Sequence, residues 1–453
     1  MNTGNDREKN RPGTIISSLS ELKIERLRQR DYQSNVSVEA FSTKNCIGGN
    51  TVTSLPGIKG KYKSYMAAFT SDGVRQYARV TVPDKPAPTN GFPTILFLHG
   101  YIGKDKAPNY SIGCRPENMY YSELTDAFAR AGYAVLSPGY RGHASVNGEP
   151  AEGIEYLEAF DQGAGLSTQF YAIDALNFAA GILDMDGSKF PEQSFKFDMS
   201  QFFMVGHSQG GDAGLTYLAV TGEGHRDDLK PVHAALWSGA FINRLTALEV
   251  EKPMEMTSQA FLSGDGSWTG TAIGKNDEEN PNFIFGYPPD WIETPDPQNW
   301  TWQKETWSEP DVKTAAVKSA TKMYVDLEAH VDDLLGISFE VSESEYGTFS
   351  IRHDPRIARL FPQIGGFYQA KYLQENITFH VPEKDHYSRI EWNRDLCDRI
   401  LAEGGDCDLI IYPHNNHSMR ASKHEWFSPA GTKDGYPQMI KNMTTKFSTY
   451  KDD

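Results

Sequence analysis

Phe202-Phe-Met-Val-Gly-His-Ser-Gln-Gly-Gly-Asp-Ala-Gly214 is the stretch that decides the fold. Four apolar residues, Phe202 to Val205, have the character of a buried strand, and the small residues after Gly210 can open a helix. Between them lies Gly206-x-Ser208-x-Gly210. A serine on so sharp a strand-to-helix turn needs residues without bulk two before and two after it, because a larger side chain would meet the neighbouring strand or helix. The turn lifts the hydroxyl above the sheet and leaves the following backbone N–H groups facing whatever binds there. As a bare pattern the motif is weak; the strand before it and the helix after it give it weight.

Outward from this turn, strands and helices alternate. Upstream, Pro93-Thr-Ile-Leu-Phe-Leu-His-Gly100 is a continuous apolar run, as expected of an interior parallel strand covered on both faces. Ser64 to Thr70 and Gln76 to Val82, joined through Ser71-Asp-Gly73, read as a β-hairpin. The pattern predicts a helix over Glu117 to Arg130, a strand over Tyr133 to Pro138 with the tight exit Gly139-Tyr-Arg-Gly-His143, and a helix over Phe170 to Met185. Downstream, the helix after Ser208 runs to about Val220 and a strand covers His233 to Ile242. The alternation then breaks. Residues 244–370 hold five of the eight Trp (Trp268, Trp291, Trp300, Trp302 and Trp307) and a helix over Asp311 to Asp333, and read as a cap or lid inserted over the mouth of the sheet. Regular alternation resumes with a strand over Ile377 to Val381, a helix over His386 to Glu403, a strand over Asp408 to Tyr412 and one C-terminal helix beyond Trp426. The expected class is therefore α/β, with a mostly parallel central sheet flanked by helices. Its parts are an N-terminal arm (1–60), a first core segment (61–243), the cap (244–370) and a second core segment (371–453).

At 453 residues, 39% hydrophobic and 23% charged, the composition is that of an ordinary globular chain. A formal net charge of −16 repels nucleic acid and anionic membrane surfaces at long range, so neither is an expected partner. No apolar run is long enough to span a bilayer, and residues 1–30 lack the apolar centre of a signal peptide. Of the three pairings open to four cysteines, the spacing favours Cys397 with Cys407, since a helix end, Gly404-Gly405 and a strand start bring them close, which leaves Cys46 for Cys114. Four free thiols are the alternative. The cysteines tilt the expected location towards a secreted or periplasmic one, with a leader removed, over the cytoplasm.

A serine hydroxyl attacks only if a base takes its proton, and the base must be held in one tautomer by an acceptor on its far nitrogen. Asp385 follows the strand Ile377 to Val381, and His417 follows the strand ending at Tyr412. The order Ser208, Asp385, His417 is the Ser, acid, His order of the nucleophile-elbow architecture. Glu383 competes with Asp385, and His414 with His417. His414-x-x-His417 also has a metal-ligand spacing, but no second ligand cluster accompanies it, so no metal and no cofactor is expected.

Leu96-Phe-Leu-His-Gly100, Ser137-Pro-Gly-Tyr-Arg-Gly-His143, Gly206-His-Ser-Gln-Gly210, Pro382-Glu-Lys-Asp385 and Tyr412-Pro-His-Asn-Asn-His417 together resemble the α/β-hydrolase superfamily. Within it they are similar to single-domain relatives of the prolyl oligopeptidase and dienelactone hydrolase groups. The resemblance runs from about Tyr62 to Phe241 and from Phe367 to the end. It departs at Gly139, where such loops often carry Asp, and the arm is too short for the propeller of true prolyl oligopeptidases. The resemblance implies an oxyanion hole from the backbone N–H groups of Tyr101 and Gln209. Tyr101, His207, Trp268 and Trp302 are the expected substrate contacts. The expected activity is a serine esterase cleaving small-molecule carboxylic esters with an apolar, aromatic or sugar face. The alternatives are a peptidase, for which Glu149, Glu152 and Glu155 could fix a peptide terminus, and a non-catalytic binding protein. Oligomeric state is left open.

Overall fold

The computed structural model describes residues 18–42, 51–56, 60–101, 121–143, 145–146, 149–156, 165–185, 190, 195–241, 312–343, 349–383, 385, 388, 390–420 and 435–450, with the backbone alone of 272–273 and 279–280. Its centre is a ten-stranded sheet. In chain order the strands are β1 (Ser37–Glu39), β2 (Leu55–Pro56), β3 (Tyr62–Ser71), β4 (Val74–Pro83), β5 (Phe92–Leu98), β6 (Ala134–Pro138), β7 (Phe197–His207), β8 (His233–Trp237), β9 (Asn376–Pro382) and β10 (Asp406–Tyr412). They lie in the order β1-β3-β4-β6-β5-β7-β8-β9-β10, with β2 also on β3. From β6 to β10 every pairing is parallel, and from β1 to β6 every pairing is antiparallel. This is the α/β-hydrolase fold.

The helices are α1 (Ile24–Arg28), α2 (Ser122–Arg130), α3 (Ser167–Leu183), α4 (Gln209–Thr221), α5 (Val312–His330), α6 (Pro355–Leu360), α7 (Ile390–Ala402) and α8 (Gly435–Ser448). Strand β7 shows why two layers form. Phe202 and Met204 enter one apolar cluster with α3 and α4, and Phe203 and Val205 enter the other with α2 and α8. Strand β5 divides likewise, with Leu96 and Leu98 on the first side and Ile95 and Phe97 on the second. A strand covered on both faces gains nothing from alternating polarity, which is why these runs are apolar throughout. Helix α3 is buried on nearly every face, from Ser167 to Ile182.

The β3–β4 hairpin turns at Asp72 (φ 50°) and Gly73 (φ 82°), the paired left-handed conformation that a two-residue hairpin turn requires. Residues Ala320 to Ile337 and Ile351 to Leu373 pack into the cluster that holds α3 and α4, and Gly366 sits against Leu215 of α4. This second half of the expected insertion therefore lies on one face of the core. Whether a cap crosses the mouth of the sheet falls to residues outside the described ones. Cys397 of α7 is bonded to Cys407 of β10, as the spacing favoured, while Cys46 and Cys114 lie outside the described residues. Among the described residues no helix is long and apolar enough to cross a membrane.

Candidate active site

Strand β7 ends at His207 and helix α4 begins at Gln209, so a single residue, Ser208, makes the whole change of direction. It does so at φ 54° and ψ −125°, a conformation that L-residues rarely hold without strong support. The support is visible. The Ser208 N–H donates to the Trp237 carbonyl at 3.0 Å, and the Ser208 carbonyl accepts from the N–H groups of Gly211 and Asp212. A Cβ on Gly206 would stand 2.7 Å from the Gly210 carbonyl oxygen, and one on Gly210 would stand 2.2 Å from that of Leu98. Both glycines are thus required by close backbone approach. The first N–H groups of α4 have no partner within the helix and bear its positive end.

The loops after β9 and β10 supply a carboxylate and an imidazole. His417 Nδ1 lies 2.9 Å from Asp385 Oδ1 and 3.0 Å from Oδ2, with both side chains buried. The carboxylate also accepts from the Ser388 N–H at 3.1 Å, and the Ser388 hydroxyl donates to the Gly239 carbonyl, which ties the acid loop to the turn after β8. The loop bearing His417 is shaped by Asn416, whose Oδ1 accepts from the N–H groups of Ser418 and Arg420, and is fastened to α8 through Asn415 and Gly435. The His417 carbonyl accepts from the Ser238 hydroxyl at 2.9 Å and contacts His207 Nε2 at 3.2 Å, and the His417 and His207 ring centroids are 5.1 Å apart. These bonds bring the histidine loop onto the elbow.

The competing residues pair with each other instead. Glu383 accepts from the His414 N–H at 2.7 Å, and the His414 side chain is 79% exposed. With His414 turned to solvent and His417 turned inward to Asp385, the two rings of the His-x-x-His spacing do not converge. Among the described residues, no group of three or more His, Cys, Asp and Glu could hold a metal ion.

Tyr101, at the exit of β5, is 51% exposed with its ring 5.2 Å from that of His143. His143 in turn contacts the Tyr171 hydroxyl through Nδ1, and His99 stacks on Tyr140, so a wall of rings stands beside the elbow. The structure places His207, expected as a substrate contact, in the core: its ring is buried, stacked 4.3 Å from Trp237, with Nδ1 2.7 Å from the Tyr121 hydroxyl and Nε2 at the His417 carbonyl. Trp268 and Trp302 lie outside the described residues. Of the three acidic residues suited to a peptide terminus, Glu152 is engaged in the fold, its carboxylate accepting from the Arg75 N–H at 2.7 Å.

Three residues around the site were not foreseen: Tyr121, Ser238 and Ser388. Tyr121 was read as part of a helix beginning at Glu117, but α2 begins at Ser122, and Tyr121 caps it in the left-handed region at φ 59°. Serines and tyrosines of this kind carry no spacing signal, since their partners come from distant loops.

No protein-family model matches the chain, and no curated protein matches it. Among solved structures it is similar to an acetyl xylan esterase from Paenibacillus sp. R4, at 13% identity over 97% of each chain with a TM-score of 0.46. It is also similar to acetyl xylan esterase 1 from Thermoanaerobacterium, at 11% identity over 99% of each chain with a TM-score of 0.43. A dipeptidyl aminopeptidase IV-like protein from Bacteroides ovatus aligns at 12% identity over 92% of this chain with a TM-score of 0.44, and this chain spans only 36% of its length. Likenesses at that distance carry no information on what this chain acts upon.

Proposed function

We propose that this chain is a serine hydrolase that cleaves carboxylic esters, with Ser208 as nucleophile, His417 as general base and Asp385 as its orienting carboxylate. The observation that carries this reading is the buried Asp385–His417 pair, fastened by the His417 carbonyl to the residue adjoining a serine held at φ 54°. With Nδ1 committed to Asp385, the imidazole turns Nε2 away from the carboxylate, and in the proposed reaction this nitrogen takes the proton from Ser208 Oγ as the oxygen attacks the ester carbonyl. Asp385 stabilises the imidazolium so formed. The oxyanion is received by the N–H groups of Gln209, at the positive end of α4, and Tyr101, each such donor being worth about 3 to 4 kcal/mol. Collapse passes the proton to the departing alcohol, and water activated by the same histidine releases the acid from the acyl-enzyme.

The acidic surface favours a neutral substrate, and the half-exposed Tyr101 ring beside His143 suits one with an apolar, aromatic or sugar face. The Cys397–Cys407 bridge supports an oxidising compartment. The test is turnover of p-nitrophenyl esters from acetate to decanoate by the wild type and by Ser208→Ala. The expected result is hydrolysis that the substitution abolishes. Equal turnover by both proteins refutes the assignment of Ser208, and cleavage of aminoacyl arylamides in place of esters moves the reading to a peptidase.

A further inference from the structure

The nucleophile, the base and the exit of β5 come from three separate parts of the chain, and one largely buried hydrogen-bonded chain runs through all three. The Gly100 N–H donates to the Tyr121 hydroxyl at 3.0 Å, that hydroxyl lies 2.7 Å from His207 Nδ1, and His207 Nε2 lies 3.2 Å from the His417 carbonyl oxygen. The chemistry of its ends fixes its direction. An amide N–H can only donate and a carbonyl can only accept, so Nε2 carries the proton. Burial, reinforced by the neighbouring His417, holds the His207 ring well below the ordinary imidazole range, so the ring is neutral and Nδ1 is an acceptor for the Tyr121 proton. One unbroken run of donors therefore leads from the amide beside Tyr101 to the backbone of His417.

The packing leaves this run little freedom. A Cβ on Gly100 would stand 2.9 Å from Ser208 Cβ, 3.0 Å from the Tyr121 hydroxyl and 3.1 Å from His207 Nδ1, so Gly100 lies directly on both the elbow and the chain. The Tyr121 ring is edge-on to Phe97 at 4.8 Å, and the His207 ring is stacked on Trp237. Tyr121 is itself held at φ 59°, a conformation that costs a tyrosine energy and that the surrounding contacts must offset.

We infer that Tyr121 and His207 are positioning residues, which hold the Tyr101 oxyanion donor in register with Ser208 and His417 through the run Gly100–Tyr121–His207–His417. The inference rests on the proposed esterase reading. Tyr121→Phe deletes the hydroxyl that joins Gly100 to His207 while keeping the ring. A donor displaced from the oxyanion weakens only the transition state, so kcat is expected to fall by about 10- to 100-fold while KM holds. Affinity for an aryl trifluoromethyl ketone, whose serine adduct bears an oxyanion, should fall in parallel with kcat/KM, whereas affinity for the carboxylate product should not. A merely structural tyrosine would lower the melting temperature without separating these two ligands.

The experiment begins with the wild type. If it neither turns over esters nor reacts with a fluorophosphonate, the esterase reading itself has failed. If it does both, Tyr121→Phe decides the present inference: a fall in kcat of more than about fivefold at unchanged KM supports it, and a smaller fall, or one carried by KM, overturns it. Should Tyr121→Phe not fold, His207→Gln is judged by the same criterion, since its amide can still donate to the His417 carbonyl but no ring nitrogen stands at the Nδ1 position bonded to the Tyr121 hydroxyl.

Discussion

Gly210→Ala puts the construction of the elbow to its most direct test. A Cβ at that position would stand 2.2 Å from the Leu98 carbonyl oxygen, 2.4 Å from that of His99 and 2.5 Å from the Leu98 carbonyl carbon. Ordinary contact of carbon with oxygen needs about 3.2 Å or more, so the start of α4 and the end of β5 must part by about 1 Å. No side chain can rotate aside, because every atom struck is backbone. Overpacking of this kind costs about 1 to 3 kcal/mol, and a shift of about 1 Å in catalytic groups costs about 100-fold in rate. The strain falls between Gln209 on one side and Gly100–Tyr101 on the other, the two proposed oxyanion donors, so activity should suffer more than stability. The assay is kcat/KM on p-nitrophenyl acetate beside a thermal melt, with Gly211→Ala as the comparison. A Cβ on Gly211 would meet nothing closer than 3.3 Å, and that substitution should stay within a few-fold of wild type. Wild-type rate and melting temperature for Gly210→Ala would refute the account of why the elbow needs this glycine.

Two other substitutions address the proposed base and the stability of the fold. Asp385→Asn keeps the shape of the acid but no longer holds His417 in the tautomer with Nδ1 protonated, and kcat should drop by about 10⁴, read against Ser208→Ala as the floor. Glu375, at the approach to β9, is buried, and burial pushes its carboxyl up to about 7. A carboxyl whose folded value exceeds its unfolded one binds more protons folded than unfolded between about pH 4.5 and 7, so stability is lost as pH rises through that window. Glu375→Gln should therefore stabilise by about 3 kcal/mol at pH 8 and by almost nothing at pH 4 in denaturant titrations, and a gain equal at both would refute it.

The parallel half of the sheet was legible because strands covered on both faces are uninterrupted apolar runs, and the order of Ser208, Asp385 and His417 was legible because each follows such a run. Limits of elements were less so, for reasons that can be named. Strand β7 starts at Phe197, ahead of the apolar run, because Asp198 to Gln201, polar but for Met199, pass through an irregularity in the pairing with β5. Strand β8 stops at Trp237, short of the expected Ile242, because Ser238 (φ 57°) and Phe241 (φ 63°) turn the chain away beside the elbow. There the Ser238 hydroxyl reaches the His417 carbonyl, and the Phe241 N–H reaches Asp212 Oδ1 at 2.7 Å. The site's polar supports share this character. Apolar periodicity records which face of an element is buried, whereas a hydroxyl that bonds to a loop nearly 180 residues away leaves no local trace.

Gly139 shows how a departure from a familiar motif can be absorbed. Its N–H donates to the Tyr77 carbonyl at 2.8 Å, and a Cβ there would stand 3.1 Å from the same oxygen, so β4 leaves little room for a side chain. Anchoring the loop after β6 falls instead to Arg141, which is fully buried. Its guanidinium bonds to both oxygens of Asp174 on α3 and to Asp72 at the hairpin turn, and Asp72 is also bonded by Arg30 of the arm. The Arg141 N–H donates to Asp174 as well, and the guanidinium lies 4.7 Å over the Tyr156 ring. A buried ion pair of this kind contributes little net stability over an apolar substitute, but its geometry admits few alternatives. Its placement fits that use: three segments far apart in sequence, the arm, the β3–β4 turn and α3, converge on the loop that carries His143 against Tyr101. The cluster therefore anchors the loop that bears the ring wall, and the arm, through Arg30 and Asp72, takes part in that anchoring.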